Sequence, residues 1–212
     1  YRFLDQLTRS GQRAWQVLPI GPTGFGDSPY QTASVLAGNP LLISIDKLVA
    51  SGLLDASVLA QAPAESAQAD FAAAQAYKWP LFEEAFARLH SPESSDDFAQ
   101  LRRELAAFSA QEHRWLDDYA LFMAIKEEQG LRPWTEWPQP LRDRSPEAVA
   151  EARQRLAPRL ALHRFVAWLF ERQWQALRTA AHERGIELIG DVPIFVAHDS
   201  VEVWSDRRQF LL

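Results

Sequence analysis

Two segments of the same design constrain this chain most. Arg9-Ser10-Gly11 closes an apolar helical stretch and leads into Ala14-Trp15-Gln16-Val17-Leu18-Pro19-Ile20. Arg184-Gly185 closes another and leads into Ile186-Glu187-Leu188-Ile189-Gly190-Asp191-Val192-Pro193-Ile194-Phe195. In each, glycine stands where a helix stops and a short apolar run follows, which reads as a buried strand. A proline sits near the end of each run, where its missing N–H no longer costs a ladder bond. A helix–strand unit used twice predicts an α/β fold with parallel strands. Parallel strands need a crossover of a dozen or more residues. The stretch 21–185 is far longer than that, so a helical subdomain is expected inside it.

The helices of that stretch are readable from spacing. Residues 2–10 place Phe3, Leu4 and Leu7 on one face. Asp55 reads as the cap of a short helix, and 60–76, rich in Ala and Gln, as a weak helix or a connection. Lys78 to His90 is amphipathic, and Ser94 to Phe108 reads as the next helix. Ser109-Ala110-Gln111-Glu112 has capping-box spacing and predicts a new helix through Tyr119, Phe122 and Ile125 to Gly130. Pro133-Trp134-Thr135-Glu136-Trp137-Pro138 reads as a loop. Ser145-Pro146-Glu147 predicts a capped start, with proline in the first turn. Leu162, Phe165, Val166, Leu169, Trp174 and Leu177 keep helical spacing to Arg184, and Pro158 is expected to break or kink that segment. Three parts follow: 1–45 with the first strand and its loop, 46–145 as the helical insertion, and 146–212 returning to the second strand.

Charge and composition exclude several functions. With 22 Lys and Arg against 28 Asp and Glu, the net charge is −6, which argues against nucleic acid. No apolar run approaches the roughly 18 residues that would suggest a membrane span. There is no Cys, so disulfides, thiol nucleophiles and thiolate metal sites are out, and a cytoplasmic location is expected. His90, His113, His163, His182 and His198 lack metal-ligand spacing. The first four are expected to be solvated on helices, as are Asp117-Asp118 and Glu127-Glu128. Of the eight Trp, most are expected to pack the core, leaving a minority as rigid apolar platforms for a ligand.

Two places suggest chemistry. The stretch 21–40 is too rich in Gly and Pro for regular structure, and it follows a strand, where parallel α/β folds bind ligands. Its glycines match neither a dinucleotide nor a phosphate loop. A tight structural loop and a binding loop both fit it. Asp27, beside Gly26, reads as a turn residue. Asp191 stands near the end of an apolar strand, where a carboxylate is costly to bury without a partner. A neighbouring loop and a substrate hydroxyl both qualify as that partner. Asp199-Ser200-Val201-Glu202 reads as a helix cap, and His198 lies close enough to the strand-end loop to touch a ligand.

Trp15-Gln16-Val17-Leu18-Pro19-Ile20-Gly21-Pro22-Thr23-Gly24, Gly26-Asp27-Ser28-Pro29-Tyr30-Gln31 and Ala37-Gly38-Asn39-Pro40 resemble the amylomaltases. So do Ile189-Gly190-Asp191-Val192-Pro193-Ile194-Phe195-Val196-Ala197, Asp199-Ser200 and Val203-Trp204. These are the 4-α-glucanotransferases, or disproportionating enzymes, of glycoside hydrolase family 77. Trp115 to Phe122 and the Trp-rich loop match as well, so the resemblance covers nearly the whole chain.

The resemblance implies an α/β chain forming part of a (β/α)8 TIM barrel, about strands two and three, with the helical insertion between them. It implies transfer of α-1,4-glucan segments between maltooligosaccharides or starch chains through a covalent glycosyl-enzyme. Such retaining chemistry uses two carboxyl groups about 5 Å apart. The family carries its nucleophilic Asp, acid/base Glu and stabilising Asp on strands four, five and seven. No catalytic residue is therefore expected here, and the chain is expected to be an inactive N-terminal piece of a longer enzyme. No cofactor, metal, nucleic acid or membrane partner is implied. The binding residues carry over: Tyr30 as the ring under the sugar beside the scissile bond, Ser28 and Asp27 lining that subsite, and Asp191 supporting the sugar. Phe25 stands where relatives often carry Tyr in a surface glucan contact. An α-glucan hydrolase on a related barrel and a non-catalytic glucan-binding domain are the competing readings.

Overall fold

The computed structural model describes residues 1–64, 67–92 and 98–211. The chain divides into two compact units, one of residues 1–39 with 169–212, the other of 40–168.

The first unit holds the two strands. Helix α1 (Arg2–Arg9) precedes β1 (Ala14–Gln16), and the later part of α8 (Ala157–Glu183) precedes β2 (Glu187–Ile189). The strands pair in parallel, Trp15 opposite Leu188. Gly11 and Gly185 both take left-handed φ, +71° and +68°, a conformation that favours glycine at a helix end. Leu4 of α1 packs with Ala180, Ala181 and Ile186, and Trp15 and Leu188 close over them. Phe3 meets Trp15 edge-on at 5.0 Å, and Arg184 donates to Asp5 at 2.8 Å.

The strands correct one expectation. They span three residues each rather than seven and ten, and they are covered on one face only. Trp15 and Leu188 lie against helices, while Ala14, Gln16, Glu187 and Ile189 are exposed. Among the described residues each strand has a single partner, so each also keeps one unpaired edge. Beyond Val17 and Ile189 the chain leaves the ladder for the two loops described below.

The second unit is helical: α2 (Ile45–Ala50), α3 (Phe71–Leu89), α4 (Ala99–Gln111), α5 (His113–Glu128), α6 (Gln139–Arg142), α7 (Pro146–Arg155) and the first part of α8. Asp55 caps a short 3-10 turn by accepting from the Ser57 N–H, and Ser145 caps α7 by accepting from the Ala148 N–H. Asp70 caps α3, which starts earlier than Lys78. The expected start at Ser94 lies outside the described residues. Leu156 separates α7 from α8, and Pro158 falls in the first turn of α8, where its missing N–H is harmless. Phe82, Phe122 and Phe165 are fully buried. Trp134 and Trp137 are buried too, and none of the eight Trp is exposed.

Three expectations fail in this unit. Ser109 does not start a helix. It lies inside α4, which runs on to Gln111, and the break falls at Glu112. The Glu112 carboxylate makes no cap and instead accepts the Trp115 indole N–H at 2.6 Å. His163 is 1% exposed, not solvated; its Nε2 lies 3.2 Å from Glu127 Oε1, and Trp79 sits edge-on at 5.5 Å. The paired acids are engaged as well, although Glu128 stays exposed as expected. Glu127 accepts from Arg159, Glu128 from Arg155, Asp117 from Arg164, and Asp118 from both Arg144 and Arg153. Their partners lie far along the sequence on or beside α7 and α8, so local spacing could not reveal them. No helix among the described residues is long and apolar enough to cross a membrane.

Candidate functional site

The loop that follows β1 is ordered by its own backbone. The Asn39 N–H donates to Ile20 O at 2.7 Å and closes the base. One 3-10 turn spans Phe25–Asp27, with the Asp27 N–H donating to Gly24 O at 3.0 Å. Asp27 sits at φ +54°, a left-handed position that Asp tolerates better than most residues, so it is the turn residue expected. Gly24 is required for a different reason. A Cβ there would run into the Gln31 carbonyl, because the two limbs of the loop pass at backbone contact. Gly38 meets the Phe170 ring in the same way.

Tyr30 and Asp191 are brought together. The Tyr30 hydroxyl donates to Asp191 Oδ2 at 2.7 Å, and the Val192 N–H donates to Asp191 Oδ1 at 2.8 Å. Both oxygens of Asp191 thus have partners, and the residue is only half-buried, so the burial cost expected of a strand-end carboxylate does not arise. The hydrogen bond to Asp191, helped by slight burial and the nearby negative charge, holds the Tyr30 phenol above its ordinary 10.0. Tyr30 is 41% exposed, so its edge is fixed while part of the ring stays open.

The other expected residues stand on the same loop. The Ser28 hydroxyl accepts from the Tyr30 N–H at 3.3 Å, which turns the serine toward the tyrosine. Asp27 is exposed on the 3-10 turn, and Phe25 at its start is 92% exposed. His198 is exposed on the segment between Asp191 and Ser200. A half-open aromatic ring beside a carboxylate and a hydroxyl suits a polyhydroxylated ring: its C–H face lies on the aromatic and its hydroxyls find the polar groups. Among the described residues no group of three or more His, Asp or Glu converges as a metal site.

Sequence reasoning missed what fixes the far limb of the loop. Thr32 and Ser34 are buried polar residues, and Ser34 Oγ donates to Glu202 Oε1 at 2.9 Å. Glu202 lies in α9 (Val201–Ser205), capped by Ser200 as the sequence suggests. The only local signal was a pair of short hydroxyl side chains between Pro29 and Pro40, a composition that favours side chain to backbone turns.

Comparison with known proteins gives a consistent result. The model of the 4-alpha-glucanotransferase family, glycoside hydrolase family 77, matches residues 1–212. The chain is 46% identical over 210 residues to the 4-alpha-glucanotransferase of Thermus thermophilus, covering 99% of this chain and 41% of that protein. It is 42% identical over 213 residues to that of Synechocystis, covering 100% of this chain and 41% of that one. An amylomaltase from Streptococcus agalactiae, solved in complex with acarbose, superposes with a TM-score of 0.89 at 36% identity, over 100% of this chain and 42% of its own. The chain spans about two fifths of the length of these relatives.

Proposed function

Because this chain belongs to the 4-alpha-glucanotransferase family of glycoside hydrolases, family 77, we propose that it supplies part of the glucan-binding side of such a transferase. The complete protein moves α-1,4-glucan segments between maltooligosaccharides or starch chains by a retaining double displacement. The observation that carries this reading is the Tyr30–Asp191 hydrogen bond. It joins an aromatic ring and a carboxylate on the two loops that follow a parallel strand pair. The parallel pair supports assigning β1 and β2 to strands two and three of a (β/α)8 barrel. On that reading 1–45 and 146–212 are barrel segments and 46–145 is the insertion.

In this reading Tyr30 stacks under the sugar, and Asp191 holds the phenol and offers its remaining acceptor capacity to sugar hydroxyls. Ser28 and Asp27 line the subsite. Phe25 stacks on a glucan farther out, without the hydroxyl that a Tyr would add. The reacting carboxyl pair, about 5 Å apart in retaining enzymes, comes from the remainder of the protein. The reaction needs no cofactor, and a cytoplasmic location fits a chain with no Cys.

Incubation of the complete protein with maltotriose tests the reading. Glucose together with chains longer than the substrate establishes transfer. Glucose and maltose alone would replace it with a hydrolase. An unchanged substrate would leave a glucan-binding role without catalysis.

A further inference from the structure

We propose that Glu202 is a positioning residue that holds the Tyr30 loop through Ser34. The inference rests on the reading of that loop as a glucan subsite. Glu202 Oε1 accepts two hydrogen bonds from one short stretch, from Ser34 Oγ and from the Val35 N–H, each at 2.9 Å. Ser34 Oγ in turn accepts the N–H groups of Leu36 and Ala37 at 3.2 and 3.3 Å. The Thr32 hydroxyl donates to Ser34 O at 2.7 Å and accepts from the Ser34 N–H at 3.3 Å. A single carboxylate oxygen therefore anchors Ser34 and Val35 and, through the Ser34 hydroxyl, the backbone to Ala37, while Thr32 braces Ser34 from the other side.

The carboxylate itself is fixed. Val201, Val203 and Trp204 of α9 are buried, and the Val201 N–H donates to Ala33 O at 2.9 Å. The second oxygen, Oε2, is buried. A glutamate serving only as a helix-end charge would keep that oxygen in water, since burying it unpaired is costly. Its burial, together with the two bonds at Oε1, places the carboxylate against the loop and not in solvent. Tyr30 is then held from three sides. The turn at 24–28 precedes it, Asp191 takes its hydroxyl, and the Glu202 clamp fixes the limb that follows it. Glu202 touches neither Tyr30 nor a reacting atom, so its effect on the site passes through residues 32–37.

The test uses the complete protein and three variants, Glu202→Ala, Glu202→Gln and Ser34→Ala, with two readouts. The first is amide hydrogen exchange across residues 28–37, and the second is KM and kcat on maltotriose. Glutamine keeps an acceptor at Oε1, so Glu202→Gln should stay within about threefold of wild type in both. Glu202→Ala should speed exchange at Val35, Leu36 and Ala37 at least about tenfold and raise KM about tenfold, with kcat changed less than about threefold. Ser34→Ala should do the same, and it carries the test if Glu202→Ala does not fold. Unchanged exchange in the alanine variants overturns the clamp. Faster exchange with unchanged KM overturns the positioning role. If the wild type transfers nothing, the glucan reading fails by itself, and exchange at 28–31 around Tyr30 still decides whether Glu202 positions that residue.

Discussion

Tyr30 and Asp191 lie 161 positions apart in the sequence and meet through a 2.7 Å hydrogen bond from phenol to carboxylate. The pair ties the loop after β1 to the loop after β2 and leaves the ring half open. It gives the aromatic a fixed orientation, the preorganisation that the proposed stacking role would use.

Removing the hydroxyl and removing the ring should separate orientation from stacking. Tyr30→Phe in the complete protein keeps the face and loses the hydrogen bond to a charged group, so kcat/KM on maltotriose should fall about tenfold. Tyr30→Ala should lower it about a hundredfold. Equal losses in the two variants would place the whole effect in the hydrogen bond. The titration of Tyr30 gives an independent check. Its phenol is held above 10.0 chiefly by the bond to Asp191, so Asp191→Asn should bring its ionisation back toward that value.

The second relationship lies in the helical unit and predicts a pH dependence. Burial pushes the Glu127 carboxyl upward, but contacts with His163 and Arg159 outweigh it and hold the group below its ordinary 4.5. A carboxyl whose folded pKa is depressed stabilises the fold above the unfolded value, and that contribution is lost as pH falls through the folded value. Glu83 shares the same Arg159, accepting from it at 2.6 Å. The melting temperature should therefore fall as pH drops from about 4.5 downward. Glu127→Gln should melt lower at neutral pH and show a flatter acid limb. An acid limb as steep as wild type in Glu127→Gln would show that other carboxyls carry it.

Lys78 makes a third case. Its Nζ donates to Leu41 O at 2.6 Å and to Ile43 O at 2.8 Å, and burial draws its ammonium below the usual lysine value. Lys78→Met keeps most of the stem and removes both donors, leaving two carbonyls short. A loss of about 1–3 kcal/mol in denaturant unfolding is expected. A neutral result would mean that water replaces the ammonium.

What the sequence reveals here is local chemistry. The glycine stops at Gly11 and Gly185, the caps Asp55 and Ser145, and the break near Pro158 each depend on a few neighbouring residues, and each is found where spacing puts it. The misreadings share a different cause. His163 looked solvated because its own neighbours are charged, yet Glu127 and Trp79, which bury it, come from other helices. Ser109 has the right spacing for a capping box, but α4 continues past it and Glu112 is taken by Trp115. Glu202 reads as a cap residue because its partners, Ser34 and Val35, stand 168 and 167 positions away. The candidate site divides in the same way. Its loops are marked by Gly and Pro, while the bonds that join them are long-range.

Gly38 offers a prediction that isolates close packing from chemistry. A Cβ at this position would overlap the Phe170 ring, and Phe170 is itself buried. Gly38→Ala should therefore destabilise the protein by about 1–3 kcal/mol, the usual cost of forcing a methyl into a filled core. The loss should come from the ring and not from the backbone, because Gly38 is not among the residues of positive φ. Trimming the ring should then relieve it. Phe170→Leu alone should cost about 1 kcal/mol, and Gly38→Ala combined with Phe170→Leu should be more stable than the sum of the single losses. Urea unfolding of the four proteins closes the cycle. Additive losses would mean that the alanine is resisted by something other than the ring, and the close approach of Gly38 to Phe170 would not be what requires glycine.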